Sequence, residues 1–600
     1  MLNQVSRLYA NKLTGFLFVV LLSVPIFLEY RSNRDDKKSL ELKTGSALER
    51  FGFSLEEVSE NSGVDFIHFS PRLDPRFEPI LPQIASMGAS VSVCDFDNDG
   101  WNDFYVTNSR YNSKNSLYHN QKDGSFIDVA PGYGLADLNK KGSGTSMGSV
   151  WADFDNDGYE DILIYKWGKP ELFKNDQGKA FTNITSNSGL PDWINSNTAI
   201  WFDYNSDGNI DLFIGGYFPE DIDLWNIDHT SILTESFEYS QNGGRNFLLE
   251  NSGKGRFIDV SQRAGLESTR WTLAACAADM NEDGYPELIV ANDYGVDEFY
   301  VNNKGESFIE KGVSSNIGFS PKSGMNVSLG DVHNDGNLGI YISNITEDGI
   351  LLQGNNLWIP SADRDKTSFI NLAAAKGVVN GGWSYGAQFG DLNNDGFNDL
   401  FVANGFISAQ KGMDYWYDYS KVTGGNSAII SDINNWPAMN GRSQSGYQKN
   451  KIWISHESQY FEDASEFVAH HQSYDSRAVA FVDLWNRGVL DVIVANQNNK
   501  LLIYKNTVNE EHNWIAFMLE GTRTNRSAIG SMVKVFWDGQ VQTQIITGGM
   551  GFCSQNQRRL QFGLGKADRV DKVQILWPAG SRQEIINPEI GKVHQLKELE

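Results

Sequence analysis

The stretch Asp95-Phe96-Asp97-Asn98-Asp99-Gly100-Trp101-Asn102-Asp103 decides the fold. Carboxylates stand at its first, third, fifth and ninth positions, and so close together they repel one another unless a cation sits among them. The glycine at the sixth position lets the backbone turn sharply, so that the flanking oxygens converge. The pattern returns at Asp153, Asp155, Asp157 and Asp161, and again at Asp203, Asn205, Asp207 and Asp211. A fourth copy has Asp279, Asn281, Asp283 and Glu287, and a sixth has Asp391, Asn393, Asp395 and Asp399. The fifth keeps Asp331 and Asp335 but has His333 and Gly339 at ligand positions. The seventh keeps Asp483 and Asp491 but has Trp485 and Arg487. A guanidinium at that place repels a cation or replaces it by pairing with the carboxylates. The reading is five metal sites, with the Asp331 loop left unassigned and the Asp483 loop empty.

All-oxygen ligation by an irregular loop favours Ca²⁺ over Mg²⁺, which asks for strict octahedral geometry and retained water. An EF-hand opens in the same way but needs a glutamate at the twelfth position and a helix on each side. Here the twelfth positions of the first two loops are Val106 and Ile164, and the flanks are short apolar runs such as Ala199-Ile200-Trp201-Phe202. These are loops between strands. An ordinary Asn/Asp/Gly turn would explain one copy, but not five in one register.

The loops begin about 50 to 90 residues apart, the scale of a four-stranded propeller blade with insertions. Each leads into a shared sequence. After the first come Asn115 to Asn120, Gly124 to Val129 and Gly134-Leu135; after the third come Asn246 to Asn251, Gly255 to Val260 and Gly265-Leu266. Both read as strand, hairpin, strand and turn. Phe53 to Val58 resembles the second half of a repeat lacking a first half, and the seventh repeat stops after Leu501 to Asn506. Pairing the two ends hides two sheet edges and predicts an all-β, seven-bladed propeller over residues 51–508.

Met87 to Asp95 resembles the FG-GAP or VCBS repeats of integrin-α-type propellers. Asn513-Trp514-Ile515, Gly521 to Arg526, Gly551 to Asn556, Phe562 to Gly565 and Trp577 to Gly580 resemble an ASPIC/UnbV domain. Together, over about residues 50 to 598, they resemble the CRTAC1-like family, named for cartilage acidic protein. The resemblance implies a calcium-binding propeller followed by a small β-domain, placed at 509–600, and leaves molecular function open. Calcium is not carried over to the fifth and seventh loops. The chain has no Arg-Gly-Asp sequence, so integrin-like ligand choice is not inferred.

The formal charge is −26, from 76 acidic and 50 basic residues. With no basic stripe, nucleic acid is disfavoured as a partner. Abundant aromatic residues argue against disorder. Near the start, Arg7 and Lys12 precede an apolar run from Leu13 to Leu28 with no cleavage or lipobox signature. Residues 1–30 are read as an uncleaved signal anchor in preference to a cleaved signal, followed by a linker at 31–50. Either reading places the propeller outside the cytoplasm, tethered or secreted, where calcium is abundant.

Cys94 and Cys276 read as buried small hydrophobes, and a reactive Cys553 is a remote alternative to a packed one. Two long insertions, 217–245 and 406–449, carry Phe218, Trp225, Phe237, Tyr239, Tyr415, Trp416, Tyr417, Tyr419 and Trp436. They either present aromatic anchors to a protein or glycan or fold back over the propeller. No catalytic residue is assigned. The pair His470-His471 reads as surface or packing, and Gly381 to Gly386 leads into a strand and calcium loop, so it is no phosphate cradle. The expected role is a non-catalytic adhesion or interaction module with structural calcium. The alternative, implied by UnbV-like proteins, is an accessory protein or enzyme of enediyne-type biosynthesis.

Overall fold

The computed structural model describes residues 46–361, 366–469 and 473–599. The apolar N-terminal run and His470-His471 lie outside these. Among the described residues, no helix is long and apolar enough to cross a membrane.

The chain is a β-propeller. Its repeating unit is an antiparallel meander of four strands, with each acidic loop between the first strand and the second. In the first unit these strands are Val91–Cys94, Asp103–Val106, Ser116–Asn120 and Phe126–Asp128. The innermost strands are buried along their whole length, which is why they read as continuous apolar or small-residue runs without alternation. Among the described residues, strand pairing resolves seven such meanders. The last has Ser476–Val482, Asp491–Asn496 and Leu502–Val508, and its fourth strand is Phe53–Glu57 from the other end of the chain. That strand pairs antiparallel, with Phe53 opposite Val508 and Glu57 opposite Tyr504.

Packing between the first two meanders is aromatic, with hydroxyl contacts between them. Trp151 is fully buried against Tyr105 and Phe181, and its Nε1 donates to Ser92 Oγ of the preceding unit at 3.0 Å. The sequence Gly134-Leu135, expected to be a turn, closes a single helical turn at Ala130–Tyr133. Gly134 supplies the left-handed residue (φ 74°) and Leu135 is buried. Ser261–Ala264 ends in the same way at Gly265.

Beyond the propeller, the chain forms two small sheets. One has the order Gln540–Ile545, Met532–Trp537, Lys572–Leu576, Arg582–Ile586; the other runs Leu560–Gly565, Asn513–Glu520, Val593–Lys597. This unit sits against the acidic loops. From it the segment between Ile545 and Leu560 enters the centre of the propeller and meets innermost strands on several sides. Trp201 N–H donates to Gly548 O (2.9 Å), Gly551 N–H to Val327 O (2.9 Å) and Gln388 Nε2 to Met550 O (3.0 Å). Gln555 exchanges two bonds with the Trp151 backbone, and Asn556 Oδ1 accepts from Phe481 N–H. Ser554–Gln555 adds a short parallel strand beside Val91–Ser92. The Gly551 to Asn556 motif is therefore a plug in the central channel. Cys553 is part of it, 1% exposed, with burial pushing its thiol up to about 12. That corrects the alternative of a reactive thiol: a buried, protonated sulfur is a poor nucleophile. Cys94 and Cys276 are buried as expected.

Candidate metal centres

Each loop is held by its own first carboxylate. Asp99 N–H donates to Asp95 Oδ1 (3.0 Å) and Gly100 N–H to Asp95 Oδ2 (2.9 Å). Asp153, Asp203, Asp279 and Asp391 accept the same two bonds in their loops. So do Asp331 and Asp483, which explains why the two damaged copies still fold as loops. The ninth residue opens the second strand and ties the loop to the sheet. Asp161, for example, accepts from Asn175 N–H (2.7 Å) and Phe154 N–H (3.1 Å). Asp211, Glu287 and Asp399 also accept from the second loop residue.

The donor set fits a hard cation. Oxygens of Asp95, Asp97 and Asp103 lie within 4.8 Å of one another, as do those of Asp153, Asp155 and Asp161. Asp103 Oδ2 and Asp155 Oδ1 are buried without a hydrogen-bond partner, an arrangement a metal ion would satisfy. Burial pushes Asp95, Asp153 and Asp279 up to about 6 and Asp203 to about 7, against the opposing pull of the loop N–H donors. Asp103, Asp161, Asp211 and Asp399 are raised well above the usual range for the same first reason, burial, with neighbouring carboxylates adding to it. Glu287 rises to about 8. Basic side chains lean over two rims: Lys174 reaches Asp155 and Asp157, and Lys122 reaches Asp99 at 3.0 Å.

The fifth and seventh loops differ in their contacts. In the fifth loop Asp331 Oδ2 also accepts from Thr543 N–H of the C-terminal unit (3.1 Å). In the seventh, Arg487 Nη2 donates to Asp491 Oδ1 (2.6 Å) and Arg559 Nη2 lies 3.1 Å from Asp483 Oδ2. Two guanidinium groups occupy the place of a cation.

Residues outside the ligand positions link the loops into a ring. The fourth loop residue always has positive φ, and in six of seven loops its side chain donates to the carbonyl of the sixth-position glycine of the next loop. Asn98 reaches Gly158 O (2.8 Å), Asn156 Gly208 O, Ser206 Gly284 O, Asn334 Gly396 O, Asn394 Gly488 O, and Asn486 returns to Gly100 O (3.0 Å). The gap is Glu282, which instead pairs with Lys366 and Lys534. A second set is built from asparagines at or near the ends of third strands. Asn175 Nδ2 bonds Phe96 O of the preceding loop, and Asn251, Asn302, Asn506 and Asn120 do likewise with Phe154, Tyr204, Leu392 and Leu484. The clue in the sequence was the recurring Asn at the end of each quoted strand, and the Asn favoured at left-handed positions.

The two aromatic insertions leave between second and third strands, hence at the end of the propeller opposite the loops. They fold back and meet each other: Leu233 N–H donates to Ser431 O and Ile433 N–H to Thr230 O. Tyr415, Trp416 and Trp436 are buried, whereas Tyr239 and Tyr417 remain exposed.

A family model described as "ASPIC and UnbV" matches residues 521–600, and one for an FG-GAP-like repeat matches 95–164, 153–214 and 279–342. The chain is 20% identical over 552 residues to human cartilage acidic protein 1, covering 85% of this chain and 73% of that protein. These matches support a CRTAC1-like family. The Xenopus tropicalis protein of the same name is 21% identical over 409 residues, 56% of this chain, which spans 62% of the frog protein's length. Solved structures that resemble this one include an Agrocybe aegerita lectin specific for terminal N-acetylglucosamine, at 12% identity and a TM-score of 0.37, covering 70% of this chain and 94% of that one. Another is Trypanosoma rangeli sialidase, at 10% identity and a TM-score of 0.33, covering 76% and 59%.

Proposed function

We propose that the chain is an exported, calcium-binding, non-catalytic interaction module of the adhesion type, a single seven-bladed ring with its C-terminal β-domain docked on the loop face. Calcium is structural in the first, second, third, fourth and sixth loops. The observation carrying this reading is the convergence of unsatisfied, buried carboxylate oxygens in loops that also bond one another around the ring. Ions there stabilise inter-blade contacts as well as single turns. Extracellular modules bind Ca²⁺ with dissociation constants of about 10⁻⁴ to 10⁻³ M, so each site contributes roughly 0.4 to 1.5 kcal/mol at millimolar calcium. The N-terminal apolar segment directs export and tethers the module. The insertions at 217–245 and 406–449 supply the surface that meets partners.

Thermal melting of the full chain with calcium and with chelator, beside metal analysis, tests the proposal. A calcium-dependent rise with about five bound ions supports it. An unchanged melting temperature with no bound calcium overturns it.

A further inference from the structure

Where the insertions close over the propeller they enclose a cavity of about 320 Å³, at the small end of ligand-pocket sizes. Part of its wall is made of rings set at steep angles to one another, beside a stacked pair, Trp383 on Phe406 at 20° and 4.0 Å. Phe237 meets Tyr294 at 67° and Tyr419 at 65°, Tyr419 meets Trp436 at 63°, and Trp271 meets Tyr294 at 89°. A flat sugar ring asks for a platform parallel to it; the steeply set rings of Phe237, Tyr294, Tyr419 and Trp436 surround a rounded group instead. The floor is firm, because Tyr385 lines the cavity and packs against Phe552 of the plug at 5.1 Å.

The charge of the lining has one sign. Asp293 and Glu238 line the cavity, and among the described residues no Lys, Arg or His does. Asp293 is buried and accepts from Tyr217 Oη at 2.7 Å. Gln83 Oε1, also lining the cavity, is a buried acceptor without a donor. The buried guanidinium of Arg477 lies behind the Tyr385 ring, 3.9 Å from its centroid, with its Nε and Nη1 donating to the carbonyls of Ser86, Gly405 and Ser476. Ring faces and carboxylates both attract positive charge, and a cation with methyl groups in place of N–H donors needs few acceptors around it. Glu238, Ser420 and Thr423 are exposed at the rim, giving a way in from solvent.

We infer that this cavity binds a small methylated ammonium ion, held by the aromatic walls with Asp293 as its counter-charge. The inference deepens the interaction-module reading and rests on its placement of the partner surface on the two insertions. Burial holds Asp293 near 7 without a ligand, and a bound cation would keep it ionised.

The test is titration of the full chain with choline, followed by tryptophan fluorescence and calorimetry, beside 3,3-dimethylbutan-1-ol, its neutral isostere, and N-acetylglucosamine. Choline is expected to bind saturably, and the neutral isostere about tenfold more weakly or worse. Asp293→Asn is expected to weaken choline by about tenfold at an unchanged melting temperature. Glu238→Gln, at the exposed rim and safe for folding, is expected to weaken it less. Equal binding of the neutral isostere, binding of the sugar alone, or no binding of choline overturns the inference. If choline fails while calcium still raises the melting temperature, the cation site falls and the module stands. If calcium has no effect, the module reading falls whatever choline does.

Discussion

Asn486 Nδ2 donates to the carbonyl of Gly100 at 3.0 Å, joining the seventh acidic loop to the first. The bond repeats what Asn98 does for Gly158, and it links two loops nearly 400 residues apart in the chain. Replacing Asn486 by Gly removes this bond and the one its Oδ1 accepts from Arg559 Nη1 (2.7 Å); Ala removes both and also places Cβ-bearing backbone without local help at φ 50°. Asn486→Gly is expected to cost about 1–3 kcal/mol for the two bonds and Asn486→Ala more, read as shifts of the urea midpoint.

Metal content is expected to separate the proposed ligand loops from the loop whose carboxylates face guanidinium groups. Asp153→Asn is expected to lower the bound calcium by one ion and the calcium-dependent melting rise with it. Asp483→Asn leaves the ion count unchanged, because Arg487 and Arg559 already face that loop's carboxylates. Elemental analysis of the two variants beside the parent decides this, and loss of an ion from the Asp483 variant would refute it.

The loops also set a pH dependence. Without metal, Asp95, Asp153 and Asp279 titrate near 6 and Asp203 near 7 in the folded chain, above the roughly 3.9 of an unfolded aspartate. Their contribution to stability is then fully present below about pH 4 and lost as pH rises through 6 to 7. Calcium bound to the ionised form would restore what is lost. The difference in melting temperature between calcium and chelator is therefore expected to be large at pH 8 and small at pH 5. A difference that does not change with pH contradicts the assignment.

Gly551 sits in the plug at φ 94°, where an added Cβ would lie 2.5 Å from Ser554 Oγ and 2.6 Å from Gln388 Nε2. Gly551→Val is expected to destabilise the chain by more than about 2 kcal/mol, through both left-handed strain and the clash. In the parent protein, thiol reagents at pH 8 should leave all three cysteines unmodified until denaturant is added, since each is buried. Rapid labelling of Cys553 in the folded state would contradict the plug.

The strand-flanked loops were legible in the sequence because they repeat in register, and the pairing of the first strand with the last meander because each end carries half of a repeat. The fourth loop residue escaped notice because its purpose is to reach the neighbouring loop, which a reading of one loop does not ask about. Gly551 to Asn556 was recognisable as a motif, but it has no strand or helix periodicity to say that it enters a channel. The aromatics of the insertions were seen as two groups, one around Phe237 and one around Trp436. Only folding places those rings 6.1 Å apart, across about 200 residues of sequence.

The pairing of Phe53 with Val508 sets the order in which the molecule can be completed. The two partners lie about 450 residues apart, so the contact forms after nearly the whole chain has left the ribosome and carries a large loop-closure entropy. Until then the strand Leu502–Val508 and the segment around Phe53 each present unpaired backbone to solvent, where they can pair with other chains. The last meander is thus the vulnerable step of biogenesis. Conditions that slow synthesis or crowd nascent chains should raise aggregation through it well before they affect the finished protein.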